Sequence, residues 1–130
     1  SVVDFIGWVD ESDLYKYLLV SDVGISPLYS NLHHDTTYAN KLFQYMSFGV
    51  PIICNQNCGL NLEIQNGLVF SLLKKEDHLD RLENILQNLE SYSLSDAKKL
   101  IAHTEKYYSY DKVIDDMINV YKRVCSEDNQ

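Results

Sequence analysis

Up to about Phe70, short apolar runs alternate with apolar positions at helical spacing, and beyond Lys74 the spacing is helical throughout. Val2, Val3, Phe5 and Ile6 form a strand-like run that stops at Gly7. Asp10 or Ser12 is placed to cap a helix predicted from about Asp13 to Val20, with Leu14, Leu18 and Leu19 on one face. Val23 to Ser26 reads as a second strand, ended by Pro27, and the polar stretch from Tyr29 to Tyr38 reads as a loop. A helix is predicted from about Ala39 to Phe48, with Leu42, Phe43 and Met46 inward. Gly49 stands where a left-handed C-cap is wanted, and Pro51 blocks continuation. Ile52 to Cys54 makes a third strand, Leu62 to Gln65 a helical turn, and Leu68 to Phe70 a fourth strand.

Strands this short and uniformly apolar suit a parallel sheet covered on both faces. Their alternation with helices provides the separation that right-handed crossovers need. The predicted class is therefore α/β. Three helical stripes follow: Leu79, Leu82, Ile85, Leu86 and Leu89; then Ala97, Leu100, Ile101, Thr104 and Tyr108, with Ser95 as cap; then Val113, Ile114, Met117, Ile118, Tyr121 and Val124. Each has the spacing of a helix laid on a core. Tyr107, Tyr108 and Tyr110 read as packing residues, and Ser126 to Gln130 as a frayed polar tail. One domain over residues 1–125 is expected, with the tail at 126–130 outside it. There is no internal repeat and no linker.

The chain has 130 residues, 45% of them hydrophobic, which suits one core. Its net charge of −8 disfavours nucleic acid and anionic membrane surfaces as partners. For the same reason, any bound diphosphate must be met by backbone amides or by basic groups from elsewhere. Cys54, Cys58 and Cys125 have no framework spacing, which points to a reducing compartment and to small apolar or loop thiols. No apolar run approaches the ~20 residues of a membrane span, and the start shows no signal pattern, so a soluble cytoplasmic protein is expected. Ser1 leads at once into an apolar run, which reads as a cut inside a longer protein.

In an open parallel sheet, ligands bind beyond the carboxyl ends of the strands. Residues 7–12 and 29–38 leave strands there and enter helices, and the second loop delivers the chain to the free amides at the start of the Ala39 helix. The segment from Ala39 through Lys41, Gln44, Met46, Gly49 and Pro51 to Ile53 resembles the helix and strand signature of retaining, family 4 type GT-B glycosyltransferases. Val3-Asp4-Phe5-Ile6-Gly7, Ser21-Asp22-Val23-Gly24-Ile25-Ser26-Pro27, Glu63-Ile64, Asn66-Gly67-Leu68-Val69 and Tyr108-Ser109-Tyr110 are similar to further family segments, in the family's order.

The resemblance implies the C-terminal, Rossmann-like half of a GT-B enzyme, a parallel sheet flanked by helices and ending in amphipathic ones. It implies a donor site for a UDP- or GDP-linked sugar, with the base near Gly7 and Trp8. The diphosphate would lie at the helix start, where Tyr38, Ala39, Asn40 and Lys41 stand. The family often has two glutamates spaced E-x7-E, and here those positions hold Thr36 and Gln44. Glutamine keeps hydrogen bonding to a ribose but loses the charge-assisted part. The implied reaction is hexosyl transfer to a glycan or lipid-linked acceptor, as in polysaccharide biosynthesis. No metal or other cofactor is expected, and no residue of this chain is expected to be catalytic by itself. The implied partner is an N-terminal acceptor domain of the same enzyme, through which the protein would sit peripherally at the membrane. Alone, the chain is expected to be inactive.

Gln44 and Thr36 motivate a second expectation, a noncatalytic binding or scaffold module derived from the same fold. Lys41 is also readable as a solvated helix lysine, Asn40 as a cap, and Trp8 as a packing residue. Glu63 is readable as a solvent-facing acid near a helix start. His33-His34-Asp35 carries metal-type side chains, but adjacent histidines in an extended loop point apart. A response-regulator-like domain would need an acidic cluster and a late lysine that the chain lacks.

Overall fold

The computed structural model describes residues 3–26, 33, 39–55, 69–72 and 78–127. Among them the elements run α1 (Glu11–Val20), β1 (Gly24–Ser26), α2 (Asn40–Ser47), β2 (Ile52–Asn55), β3 (Val69–Leu72), α3 (His78–Leu89), α4 (Leu94–Tyr108) and α5 (Tyr110–Glu127). The strands form a small parallel sheet in the order β1-β2-β3, with Gly24 opposite Ile52, Ser26 opposite Cys54, and Ile52 opposite Val69. Mixed helix and parallel sheet agree with the α/β class. The loop at 29–38 (His33 apart), the turn at 62–65 and the last three residues lie outside the described residues.

β2 is the centre of the sheet and is buried on both faces, as a run of Ile52, Ile53 and Cys54 requires. Ile52 and Cys54 face α2, whose Leu42 and Met46 complete a core closed by Leu100 of α4. Leu42 and Met46 are four residues apart, so one stripe of α2 carries both. Phe43, expected inward with them, is half-buried and meets the Tyr108 ring at 5.0 Å between centroids, the rings tilted by 55°. The start of α4 lies by Gly49 at the end of α2, and its end lies by Phe43, nearer the start of α2. The two helices are therefore antiparallel.

Glycine is required at two positions of this arrangement. A Cβ on Gly24 would stand 2.5 Å from a ring carbon of Tyr45, so α2 rests directly on the β1 backbone. Gly49 has φ +69°, the left-handed cap foreseen from the sequence, and a Cβ there would stand 3.0 Å from the Ala97 backbone oxygen. The carbonyl oxygen of Gly49 accepts a hydrogen bond from the Tyr92 hydroxyl at 3.0 Å, which ties the segment after α3 to the end of α2.

Several expectations are corrected. Residues 3–10 form no strand, and Phe5 is 95% exposed. An apolar run becomes a strand only where a neighbour completes its ladder, and no described strand pairs with this one. The helix expected from Asp13 starts at Glu11. Asp10 stands at its N-cap without a side-chain hydrogen bond, and Leu19, expected on the packed face, is exposed. β1 is covered on one face only, since Ile25 is 53% exposed. The cap of α4 is Ser93 rather than Ser95. Its hydroxyl accepts from the Asp96 amide while the Asp96 carboxylate accepts from the Ser93 amide. Ser95 would place Lys98 three residues on, which has nothing to accept with. The hydrogen bond from the Ser93 hydroxyl, followed by that from Lys99, holds the Asp96 carboxyl well below the usual carboxylate range. Finally, the α5 stripe is not laid on the core. Val113, Met117 and Tyr121 are exposed, because the extended backbone of Ser109 turns α5 away from α4 at once.

Gly24→Ala is expected to destabilise the domain by about 1–3 kcal/mol, because the Tyr45 ring must be displaced from the strand. Urea denaturation checks this, and an unchanged midpoint contradicts the close contact. Burial, then the Asp96 charge, pushes the Tyr92 hydroxyl up to about 12. The folded state thus favours the protonated phenol, and that contribution is complete below pH 10 and lost as pH rises from about 10 to about 12. Stability should fall across that window in the wild type and fall less in Tyr92→Phe, as read by denaturation midpoints at stepped pH.

Candidate functional site

The carboxyl ends of β1 and β2 and the start of α2 lie together because α2 packs across both strands. The N-cap of α2 is Ala39, in extended conformation at φ −79° and ψ 124°, with no side-chain cap hydrogen bond. An alanine cannot supply one; the Leu42 amide donates to the Ala39 carbonyl at 2.9 Å, and the Asn40 and Lys41 amides have no acceptor among the described residues. Asn40, which the sequence allowed as a cap, is instead the exposed first helical residue. Lys41 follows, half-buried.

Gln44 stands one turn beyond Asn40 on the same face of the helix. It lines a cavity of about 560 Å³ between α2 and α4, with Phe43, Ile101, Thr104, Glu105 and Tyr108 among the other walls. Phe43 and Tyr108 give the cavity an aromatic wall, while Gln44 and Glu105 give it hydrogen-bonding groups. The buried Thr104 hydroxyl is already committed, donating to the Leu100 carbonyl at 2.8 Å. A second cavity, bounded by Leu18, Asp22, Pro51 and Tyr92, lies at the amino ends of the strands, the edge opposite to where parallel sheets take ligands.

One polar group beneath α2 was not singled out from the sequence. Ser26 ends β1 opposite Cys54, is 1% exposed, and its hydroxyl has no hydrogen-bond partner among the described residues. A buried hydroxyl left unmade costs on the order of 1–3 kcal/mol, so native structures rarely keep one without a use. The available signal was a polar residue at the carboxyl end of a strand otherwise apolar. Beside it, burial pushes the Cys54 thiol up to about 11, which makes it an inert core group rather than a nucleophile.

Of the remaining expected site residues, Gly7 and Trp8 are described and both are open to solvent. Gly7 has φ +77° in an open turn, with nothing near where a Cβ would stand. Trp8 beside it is 86% exposed, so nothing described packs on its ring. Thr36 and Tyr38 lie outside the described residues, as do His34, Asp35, Cys58, Glu63 and Asn66 to Leu68; His33 is exposed. Among the described residues no group of three or more His, Cys, Asp or Glu side chains is placed to hold a metal ion.

A family model described as Glycosyl transferases group 1 matches residues 1–89. The chain belongs to that family. The match covers every described strand, α1, α2 and α3, and thus the start of α2 and Gln44. Membership brings glycosyl transfer as the general chemistry, with a nucleotide sugar as the general kind of substrate. α4 and α5 fall beyond the matched residues, although α4 supplies one wall of the cavity. No curated protein and no solved structure matches the chain. Among the described residues no helix is long and apolar enough to cross a membrane.

Because the Ser26 hydroxyl has no partner to lose, Ser26→Ala should leave the stability of the unliganded domain unchanged or raise it by up to about 1 kcal/mol. A loss larger than that in thermal or urea unfolding would show that the hydroxyl is satisfied.

Proposed function

We propose that this chain is the donor-binding part of a retaining group 1 glycosyltransferase of GT-B architecture, moving a hexose from a UDP- or GDP-sugar to a glycan or lipid-linked acceptor. The observation that carries this reading is the uncapped start of α2, at the carboxyl edge of a parallel sheet and inside the family-matched segment. Free amides aligned with a helix dipole suit a diphosphate, and they do so without metal or added cofactor. Asn40 and Lys41 stand beside those amides, and Gln44 one turn on is at the right residue type and spacing to bond a ribose hydroxyl. Gly7 and Trp8 would receive the base, and Thr36 and Tyr38 would border the sugar.

The net charge of −8 bears on how such a site works. Amides offset only part of a diphosphate's charge, so basic groups outside these residues, Arg and Lys side chains upstream of them in the enzyme, would complete the site. Chemistry in this reading is positioning plus stabilisation of the leaving diphosphate, shared between the two halves. The chain by itself would bind donor weakly and transfer nothing. A cytoplasmic setting, peripheral to a membrane where polysaccharide precursors are made, follows from the substrate class.

A second reading, a noncatalytic module that keeps the fold and not the donor, is favoured by Thr36 and Gln44, which put neutral groups where the resembled family often has carboxylates.

Amide NMR titration with UDP, GDP and ADP separates the two readings. The first expects shifts at Gly7 to Val9 and from Thr36 to Gln44, with one base preferred, and weaker binding in Gln44→Ala. Loss of one charge-neutral hydrogen bond corresponds to roughly a threefold to tenfold rise in Kd. Absence of any shift at millimolar nucleotide, both here and in a chain extended by its acceptor half, would leave the noncatalytic module standing.

A further inference from the structure

Ser26 and the first turn of α2 bring unmet hydrogen-bond donors close together. Burial alternates along β1, with Gly24 and Ser26 closed in and Ile25 between them exposed, so Ser26 lies on the face that α2 covers. α2 runs against the direction of β1, because its far end leads to Pro51, whose carbonyl accepts from the Gly24 amide at 2.8 Å. Tyr45 rests on Gly24. Two residues along a strand span about 6.6 Å, which is roughly four residues along a helix. Ser26 therefore stands beneath the first turn of α2, near Lys41. The packing agrees, since Ala39 rests on the cluster that contains Cys54, and Cys54 is the register partner of Ser26.

We propose that the Ser26 hydroxyl is a further binding group of the site, joining the Asn40 and Lys41 amides to hold one phosphoryl group of the diphosphate. This role rests on the donor-binding reading and adds to it a side chain from the strand beneath the helix. Two amides and a hydroxyl make three neutral hydrogen-bond donors with no acceptor among the described residues. A phosphoryl group brings several acceptor oxygens to one place, and its charge strengthens each bond. The alanine at the N-cap is part of the arrangement, since a serine or aspartate there would bond the same amides itself. Ser26 is 1% exposed, so bulk water does not satisfy its hydroxyl, and an acceptor seated between β1 and α2 does. An ordered water in that place would belong to the unliganded fold, and losing its anchor would show as lost stability in Ser26→Ala. A phosphoryl oxygen leaves the unliganded stability alone and shows only in binding.

Inorganic pyrophosphate is the probe, titrated into the chain and read at the Asn40 and Lys41 amides by NMR. Millimolar pyrophosphate should shift both amides, and sodium chloride at matched ionic strength should not. Ser26→Ala should raise the dissociation constant roughly tenfold while leaving the urea midpoint of the unliganded chain in place. Ala39→Ser should raise that midpoint and weaken binding, because its hydroxyl takes one of the amides. Unmoved amides, an unchanged dissociation constant in Ser26→Ala, or a lowered unliganded midpoint in that variant would each overturn the proposal. UDP and GDP titrated alongside tell its failure from that of the donor reading. Nucleotides that bind wild type and Ser26→Ala equally well leave donor binding standing and sink the role of Ser26. Pyrophosphate held through Ser26, with neither nucleotide bound more tightly than pyrophosphate, keeps the phosphoryl site and removes the donor reading.

Discussion

The contact between Tyr45 and Gly24 sets the depth at which α2 lies on the sheet, and most of the described structure follows from that depth. With any side chain at Gly24 the ring could not lie on the strand backbone, its Cβ standing 2.5 Å from a ring carbon. With glycine there, Leu42 and Met46 reach Ile52 and Cys54 and leave no gap between helix and sheet. The rotation of α2 is fixed by the same stripe. Leu42 and Met46 inward leave Phe43 and Gln44 turned toward α4, and the first residue, Asn40, at the carboxyl edge. The far end of the helix is pinned by Gly49, whose left-handed backbone and close approach to Ala97 leave no room for another residue.

That geometry decides what kind of recognition the domain can perform. The chain is acidic overall, yet the edge where ligands of parallel sheets bind presents amide dipoles, an asparagine and a lysine. Fixed dipoles cost no reorganisation when an anion arrives, so they bind selectively even where the net field is unfavourable. In the proposed function they would bind weakly, however, because the −8 charge of the surroundings opposes the same ligand. Ser26 fits this picture. Its buried, unpartnered hydroxyl is at the carboxyl end of β1, on the face of the sheet that α2 covers.

Elements whose signals are local were legible in the sequence. The α2 helix, its glycine cap, the strand Ile52 to Cys54 and the parallel order all follow from spacing and from single residues such as Gly49 and Pro51. What sequence periodicity does not encode is what covers an apolar face. Val3, Phe5 and Ile6 look like a strand, and Val113 to Val124 like a core helix, yet both are exposed among the described residues. The Ser93 cap was missed by two residues because serines stand at both 93 and 95, and only the acceptor three residues on separates them. Of the candidate site, Ala39, Asn40, Lys41 and Gln44 were named through the resemblance and lie on one helix start. Gly7 and Trp8, named through the same resemblance, stand open to solvent. Ser26 was passed over, since a serine in a strand is common and only its burial without a partner makes it informative.

The family match ends at residue 89, but the core does not. Leu100 of α4 closes the cluster of Leu42, Met46, Ile52 and Cys54, and Tyr92 holds the carbonyl of Gly49. The face of α2 that carries Gln44 is therefore braced by residues outside the matched segment, and Glu105 and Tyr108 complete the cavity it borders. Without α4, the apolar stripe of α2 would face water on one side, at about 25 cal/mol for each Å² exposed, and its rotation would no longer be fixed. The chemistry a family match assigns to its own residues thus depends on packing supplied by residues it does not cover. The unit that positions the candidate site runs at least from β1 through α4.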